Sequence, residues 1–217
     1  KYYVFISCII MNISIATFSN LFIIVKNKKM SEYLHLKDQT SNPGPIGLFG
    51  FALTTILLNI HNAGFFPIDT MIMGMGIFFG GIAQFCAGIM EWKRGNQFGS
   101  VAFMSFGAFW LSLVFIWIAS AAGLPKPDSI SMGSYLAIWG LFAFVFFIQT
   151  LNGLMIGKIL FGLLVILFAL LSIYNFTGIA WIGKLAGFEG ILCGFVAFYE
   201  GSAIMINHKY QKNVLPM

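Results

Sequence analysis

Charged residues are scarce along this chain. Of its 217 residues only 9% are Asp, Glu, Lys or Arg, whereas a soluble globular domain carries about 25%. Hydrophobic residues make up 59% of the chain, and its mean hydropathy is +0.89. A water-soluble fold of this length cannot bury so much apolar surface. The composition therefore excludes a soluble protein and indicates a polytopic membrane protein.

Signatures of several chemistries are also missing. The cysteines Cys8, Cys86 and Cys193 each lie inside an apolar run, and no Cys/His group has the spacing of a metal site. The sequence contains no Walker-type phosphate loop, no dinucleotide-binding glycine pattern and no nucleophile–base pair. We therefore expect no metal, no cofactor, no ATP-driven pumping and no enzyme activity.

Apolar runs of membrane-spanning length are what the sequence has in abundance. A helix crosses a bilayer with about 20 apolar residues. Six spans meet this length, at 46–63, 70–91, 101–123, 134–151, 156–176 and 185–207. The connections between them are short, so the function must lie inside a helical bundle or at its mouths. We expect an all-α polytopic membrane protein, with a six-helix transport domain at 46–207 and a cytoplasmic tail at 208–217.

The segment before this core stays open between two interpretations. Residues 2–25 are apolar, lack the small-residue cleavage site of a signal peptide and are followed by K-N-K-K. Met30 then opens M-S-E-Y-L-H-L-K-D, which looks like an ordinary cytoplasmic start. Residues 1–29 are therefore either an extra membrane helix or a spurious upstream extension. Residues 30–45 are expected to form a cytoplasmic N-terminal segment.

The distribution of Lys and Arg predicts the orientation, because short cytoplasmic loops hold an excess of both. If 26–45 is cytoplasmic, nine of these residues fall inside and three outside. The inside set is Lys26, Lys28, Lys29, Lys37, Lys93, Arg94, Lys158, Lys209 and Lys212, and the outside set is Lys1, Lys126 and Lys184. Both ends of the six-helix core are therefore expected in the cytoplasm of a cell that carries the protein in its plasma or inner membrane. Topology explains the net charge of +5 without nucleic-acid binding.

The first core span carries most of the polar side chains. At about 100° per residue, its amide and hydroxyl groups form a stripe that continues from Phe51. Polar groups inside a span normally face the bundle interior or a water-filled cavity. They are candidates for a solute path, although hydrogen bonds between helices or end capping would also explain them. The candidate path residues are Thr54, Thr55, Asn59, His61 and Asn62, with Gln84 from the second span.

Small residues form a ridge on the second span. Gly76, Gly80 and Gly88 recur at a spacing of four with Gln84 between them. Such a ridge lets another helix approach closely, as in G-x-x-x-G packing. The amide of Gln84 interrupts the ridge, so it needs either a facing side chain or a passing solute as its partner.

The sixth span contains two acids, and we expect them to be the only acids deep in the core. Glu189 and Glu200 are eleven residues apart, so they share one helix face at a separation of about 16 Å. Glu189 lies near the predicted outer mouth and is a candidate proton carrier, together with His61. The alternative is that each acid extends to the membrane interface.

Helix breakers crowd the start of the first span, in T-S-N-P-G-P-I-G-L-F-G-F. Proline is tolerated in a first helical turn, where its missing N–H has no partner in any case. Glycine lets neighbouring backbones come close. We expect this motif to shape the inner vestibule and to set Phe51 at its neck. Its residues are Asn42, Pro43, Gly44, Pro45, Gly47 and Leu48.

These segments resemble one known family. N-P-G-P-I-G-L-F-G-F, T-T-I-L-L-N-I-H-N-A-G-F-F, G-I-F-F-G-G-I-A-Q-F-C-A-G-I-M-E-W-K-R-G-N-Q-F-G and A-G-F-E-G-I-L-C-G are similar to motifs of the acetate uptake transporters. The resemblance implies a six-helix protomer with its own pore, assembled into a homohexamer. It implies transport of acetate and related small carboxylates, including succinate, with proton coupling. It also implies a hydrophobic neck of Phe51, Phe106 and Leu164, with Phe106 standing where the bacterial permease has tyrosine.

Two other functions fit the same kind of bundle. One is a channel for another small solute, such as ammonia, formate or urea. The other is a membrane sensor that transports nothing, although the short loops leave little room for a partner surface.

Overall fold

The structure, a computed structural model, describes residues 41–217. The predictions for residues 1–29 and for 30–40 lie outside the described residues. Six helices follow one another: α1 (Gly44–Asn62), α2 (Thr70–Lys93), α3 (Gln97–Ala121), α4 (Ser129–Thr150), α5 (Met155–Thr177) and α6 (Ala180–Tyr210). Each is long and apolar enough to cross a membrane. The all-α, six-span prediction is confirmed.

Several helices begin earlier than hydropathy predicts, because polar caps rather than apolar residues set the first turn. Asp128 accepts a hydrogen bond from the Ser131 N–H at 2.7 Å and starts α4 five residues before the predicted span. Asn96 caps α3 in the same way, through the Gly99 N–H at 3.1 Å. Side-chain oxygens at these positions satisfy N–H groups that have no partner within the helix.

Consecutive helices run in opposite directions, so each short connection lies on one of two sides. We call the side that holds Asn42 the motif side and the opposite one the His61 side. Helix α1 packs along α6, α2 along α3, and α4 along α5. Glycines on α6 make the first contact possible, since a Cβ at Gly187 would meet Ala63 and one at Gly190 would meet Asn59.

The glycine ridge of α2 packs as predicted, but it serves two neighbours. Gly76 and Gly88 lie against Val114 and Met104 of α3, whereas Gly80 lies against Thr54 of α1. A π-helical stretch at Gly76–Ala83 lies within this ridge. Short π-helical turns inside α-helices recur at functional sites.

Candidate pore

Two cavities lie end to end along the bundle axis. The motif-side cavity, of about 210 Å³, is lined by residues of α1, α2, α3, α5 and α6. The His61-side cavity, of about 640 Å³, opens at the other face and is lined by α1 to α5. The second cavity shares His61, Asn62, Leu171 and Tyr174 with a further recess of about 310 Å³ that reaches Lys184.

The Asn-Pro-Gly-Pro motif forms the rim of the motif-side cavity. The Asn42 Oδ1 accepts hydrogen bonds from the Gly44 N–H at 2.9 Å and from the Arg94 guanidinium at 3.1 Å. The link from Asn42 to Arg94 joins the start of α1 to the end of α2. Gly47 admits the ring of Phe103 from α3, which a Cβ would contact at 2.7 Å. The helix breakers therefore place the first turn of α1 tightly against its neighbours.

Apolar side chains close the space between the cavities, and three helices show the same spacing. On α1, Phe51 lines the motif-side cavity and Leu58 the His61-side cavity. On α3 and α5 the equivalent pairs are Phe106 with Leu113 and Leu164 with Leu171. Each pair is seven residues apart, which corresponds to roughly 10 Å along a helix. We call the region between the two members of these pairs, on all three helices, the apolar barrier.

The structure brings the three predicted neck residues together at the base of this barrier. Phe51, Phe106 and Leu164 all line the motif-side cavity, and all three are buried. The ring centroids of Phe51 and Phe106 are 6.2 Å apart in an edge-on arrangement. Phe106 also contacts the rings of Phe142, Trp139, Phe161 and Phe146, at centroid distances of 5.9 to 6.4 Å.

The predicted path residues divide between the cavities and the helix contacts. Gln84 lines the motif-side cavity, and His61 and Asn62 line the His61-side cavity. Thr54 and Asn59, in contrast, lie buried at helix contacts, against Gly80 and Gly190. Their polar atoms donate to the carbonyl oxygens of Met75 and Thr55. For these two residues the structure fits the interpretation as interhelical and local hydrogen-bonding groups.

Thr55 lies within the barrier region of α1, one turn beyond Phe51. It is 3% exposed, and its Oγ1 has no hydrogen-bond partner among the described residues. A buried hydroxyl without a partner is unfavourable by about 1–3 kcal/mol. Thr55 lines neither cavity, and within residues 41–217 its hydroxyl is left without a partner between the levels of Phe51 and Leu58.

Glu200 and Glu189 lie in different environments despite sharing a helix face. Glu200 lines the motif-side cavity, whereas Glu189 lines none of the three cavities described here. Both oxygens of Glu189 are buried without a hydrogen-bond partner in the described part of the chain. Of the two candidate proton carriers, only His61 reaches the His61-side cavity.

The expectation that Glu189 and Glu200 are the only acids deep in the core is wrong. Glu91 is 3% exposed and also lines the motif-side cavity, where its Oε2 accepts a hydrogen bond from the Asn96 amide at 2.8 Å. The run E-W-K-R-G-N looks like a polar loop, but α2 continues to Lys93. The spacing does contain a signal, because Glu91 follows Gln84 by seven residues and so shares its face.

Basic groups characterise the His61 side. Lys126 and His61 line the larger cavity there, and Lys184 lines the adjoining recess. The Nδ1 of His61 is hydrogen-bonded to the Phe66 carbonyl at 2.8 Å, which directs the other ring nitrogen away from that contact. Asp128 is the acid of this cavity, and hydrogen bonds from Ser131 hold its pKa below the ordinary value of 3.8.

Comparison with known proteins gives consistent results. The model of the GPR1/FUN34/yaaH family matches residues 10–216. The chain is 46% identical over 178 residues to the succinate-acetate/proton symporter SatP of Escherichia coli K12, an alignment that covers 82% of this chain and 95% of SatP. It is 39% identical over 171 residues to ammonia transport outward protein 2 of Saccharomyces cerevisiae, covering 75% and 61% of the two chains.

A solved structure shows the same architecture. The bacterial acetate channel SatP superimposes with a TM-score of 0.81 at 46% identity, covering 82% of this chain and 99% of that structure. The six-span fold and the matched family model lead to one assignment: the chain is a multi-pass membrane protein that belongs to the GPR1/FUN34/yaaH family.

Proposed function

We propose that this protein is a transporter, not an enzyme, and that it moves acetate and related small carboxylates across a membrane together with protons. The observation that carries the proposal is the apolar barrier between two cavities that each contain polar and ionisable side chains, at the same seven-residue spacing on α1, α3 and α5. The similarity to a symporter and to a channel for acetate supports the same function.

The barrier explains why protons should accompany the substrate. A carboxylate that leaves water for an apolar passage loses its hydration, which is strongly unfavourable unless donors replace the water. The protonated acid carries no charge and can pass between the side chains of Phe51, Phe106 and Leu164. We propose that these three side chains form the neck, and that the free hydroxyl of Thr55 offers a hydrogen bond on the way.

The His61-side cavity is where we propose that the anion is collected and protonated. Lys126 and Lys184 attract a carboxylate, and the imidazole of His61 lines the same cavity as Lys126, where it is the group that we propose donates the proton to the substrate. Asn62, beside His61, supplies an amide for binding.

Charge distribution supports a cytoplasmic motif side. In the described residues that side holds Lys93, Arg94, Lys158, Lys209 and Lys212, and the His61 side holds Lys126 and Lys184. This excess is typical of cytoplasmic segments. We propose that both ends of the six-helix core face the cytoplasm and that the protomers assemble as a hexamer in the plasma or inner membrane. Many large apolar side chains remain exposed, and lipid and neighbouring protomers would cover them.

Uptake of labelled acetate into liposomes containing the purified protein tests the function. We expect uptake that rises when the outside is made more acidic than the inside, and that unlabelled acetate inhibits. Empty liposomes measure the passive leak of acetic acid. Uptake equal to that leak would contradict transport, and uptake independent of pH between 5 and 8 would contradict proton coupling.

Competition by other solutes tests the alternative suggested by the yeast relative's name. We expect formate to inhibit acetate uptake weakly, and urea and ammonium not at all. Flux of ammonia without flux of acetate would replace the proposed function by the alternative.

A further inference from the structure

Two carboxyl groups and three amides supply the polar side chains of the motif-side cavity, which are Glu91, Glu200, Asn42, Gln84 and Asn96. Gln84 and Glu91 project from α2, and Glu200 projects from α6. Glu91 is already hydrogen-bonded to the Asn96 amide, whereas no hydrogen bond to Glu200 occurs among the described residues. A substrate in this cavity therefore meets carboxylates directly below the apolar barrier.

Gln84 brings to this cavity a buried amide oxygen that a ligand with a hydrogen-bond donor would satisfy. Its side chain is 1% exposed, and its Oε1 has no hydrogen-bond partner in the part of the chain that the structure describes. A buried amide oxygen without a partner is unfavourable unless a ligand satisfies it. The O–H of a protonated carboxylic acid is such a donor, and a carboxylate is not.

Within residues 41–217, few positive charges lie on the helices that pack around Glu200. Helix α6 packs against α1 and α5. The ionisable side chain of α1 is His61, at the far end of the helix, and those of α5 are Lys158, in its first turn, and Tyr174. On α6 itself, His208 and Lys209 follow Glu200 by more than two turns, and Glu189 precedes it by three. Arg94 reaches the rim through Asn42.

We propose that Glu200, acting with Glu91 and the free oxygen of Gln84, makes this cavity selective for monocarboxylic acids and against dicarboxylates. The inference rests on the proposed function and narrows its substrate class. One proton makes a monocarboxylic acid neutral. A dicarboxylic acid that has taken up one proton still carries a negative charge, which the two carboxylates repel across a low-dielectric cavity.

The experiment measures uptake of labelled succinate and labelled acetate into the same liposomes at pH 7. In the natural protein we expect acetate uptake to exceed succinate uptake clearly. In Glu200→Gln, which keeps the size of the side chain and removes its charge, the ratio of succinate to acetate uptake rises about tenfold. Glu200→Asp keeps the charge and is the matched control, with a ratio close to that of the natural protein.

A pH series on the natural protein tests the same idea without any variant. Because acidification protonates the second carboxyl of succinate, the ratio of succinate to acetate uptake should rise as the pH falls from 7 to 5. Natural protein that carries succinate as fast as acetate at pH 7 would overturn the proposal, as would an unchanged ratio in Glu200→Gln. Absence of acetate uptake in the natural protein would instead contradict the proposed function.

Discussion

The two cavities of this protein differ in charge although the same bundle encloses both. The His61-side cavity is wide and is lined by Lys126 and His61, with Asp128 as its acid, and Lys184 lines the adjoining recess. The motif-side cavity is three times smaller and meets Glu91, Glu200 and an amide oxygen. A basic mouth favours a carboxylate and an acidic one favours a neutral acid. This difference is the one that our proposal requires, because in it the substrate changes its protonation state between the two cavities.

The largest effect is expected on stability when Glu91 is removed. The comparison with Glu200 separates an acid that holds the structure by a hydrogen bond from one that makes none with the described residues. Glu91→Ala deletes the acceptor of the Asn96 amide, and Asn96 caps α3. We expect the free energy of unfolding to fall by about 1–3 kcal/mol. Glu200→Ala, in the same cavity, should change stability far less because Glu200 makes no hydrogen bond with the described residues. Thermal unfolding in detergent compares them, and equal losses would contradict the distinction.

Thr55→Val tests the region between the cavities. Valine matches threonine in shape but has no hydroxyl, and the Thr55 Oγ1 is buried without a partner in the described chain. We therefore expect unchanged or slightly higher stability together with acetate uptake reduced about threefold, since a hydrogen bond to a crossing acid contributes about 0.5–1.5 kcal/mol. Full uptake would show that Thr55 does not contact the substrate.

Removing a positive charge from the His61 side should weaken acetate uptake moderately, and high salt should abolish the difference. We expect Lys126→Gln and Lys184→Gln each to raise the acetate concentration for half-maximal uptake about twofold at low ionic strength, because exposed charges act over about 10 Å at 0.1 M salt. The matched control is Lys209→Gln at the motif-side end of α6. An effect that persists unchanged at high salt would mean direct contact rather than attraction.

The smallest expected effect concerns Asp128. Hydrogen bonds from Ser131 lower the pKa of this carboxyl, so its contribution to folding is complete above the unfolded pKa, near 4, and is lost as the pH falls through the lower folded value. As the pH is lowered from 5 to 3, the thermal unfolding midpoint should therefore fall slightly less in Asp128→Asn than in the natural protein. The substitution keeps a capping oxygen at the start of α4. Parallel curves for the two proteins would contradict this.

Much of the architecture could be predicted from the sequence, because hydropathy fixes the centre of each span. The helix starts could not, since Asp128 and Asn96 cap helices from positions that look like loop residues. The neck residues and Gln84 line one cavity, and their role in transport stays a prediction. Thr54 and Asn59 have the right helical face, but Gly80 and Gly190 let neighbouring helices cover them. Periodicity gives the face of a helix, and only the packed bundle determines what lies opposite.

Uptake of acetate by the natural protein and by Phe51→Ala, with and without an inward proton gradient, tests the barrier most directly. Phe51 lies 8% exposed at the base of the barrier, edge-on to Phe106. A smaller side chain should admit water and let the anion cross, so the variant should show faster uptake that depends less on the gradient than uptake by the natural protein. The same uptake and the same gradient dependence in both proteins would contradict a barrier formed by Phe51.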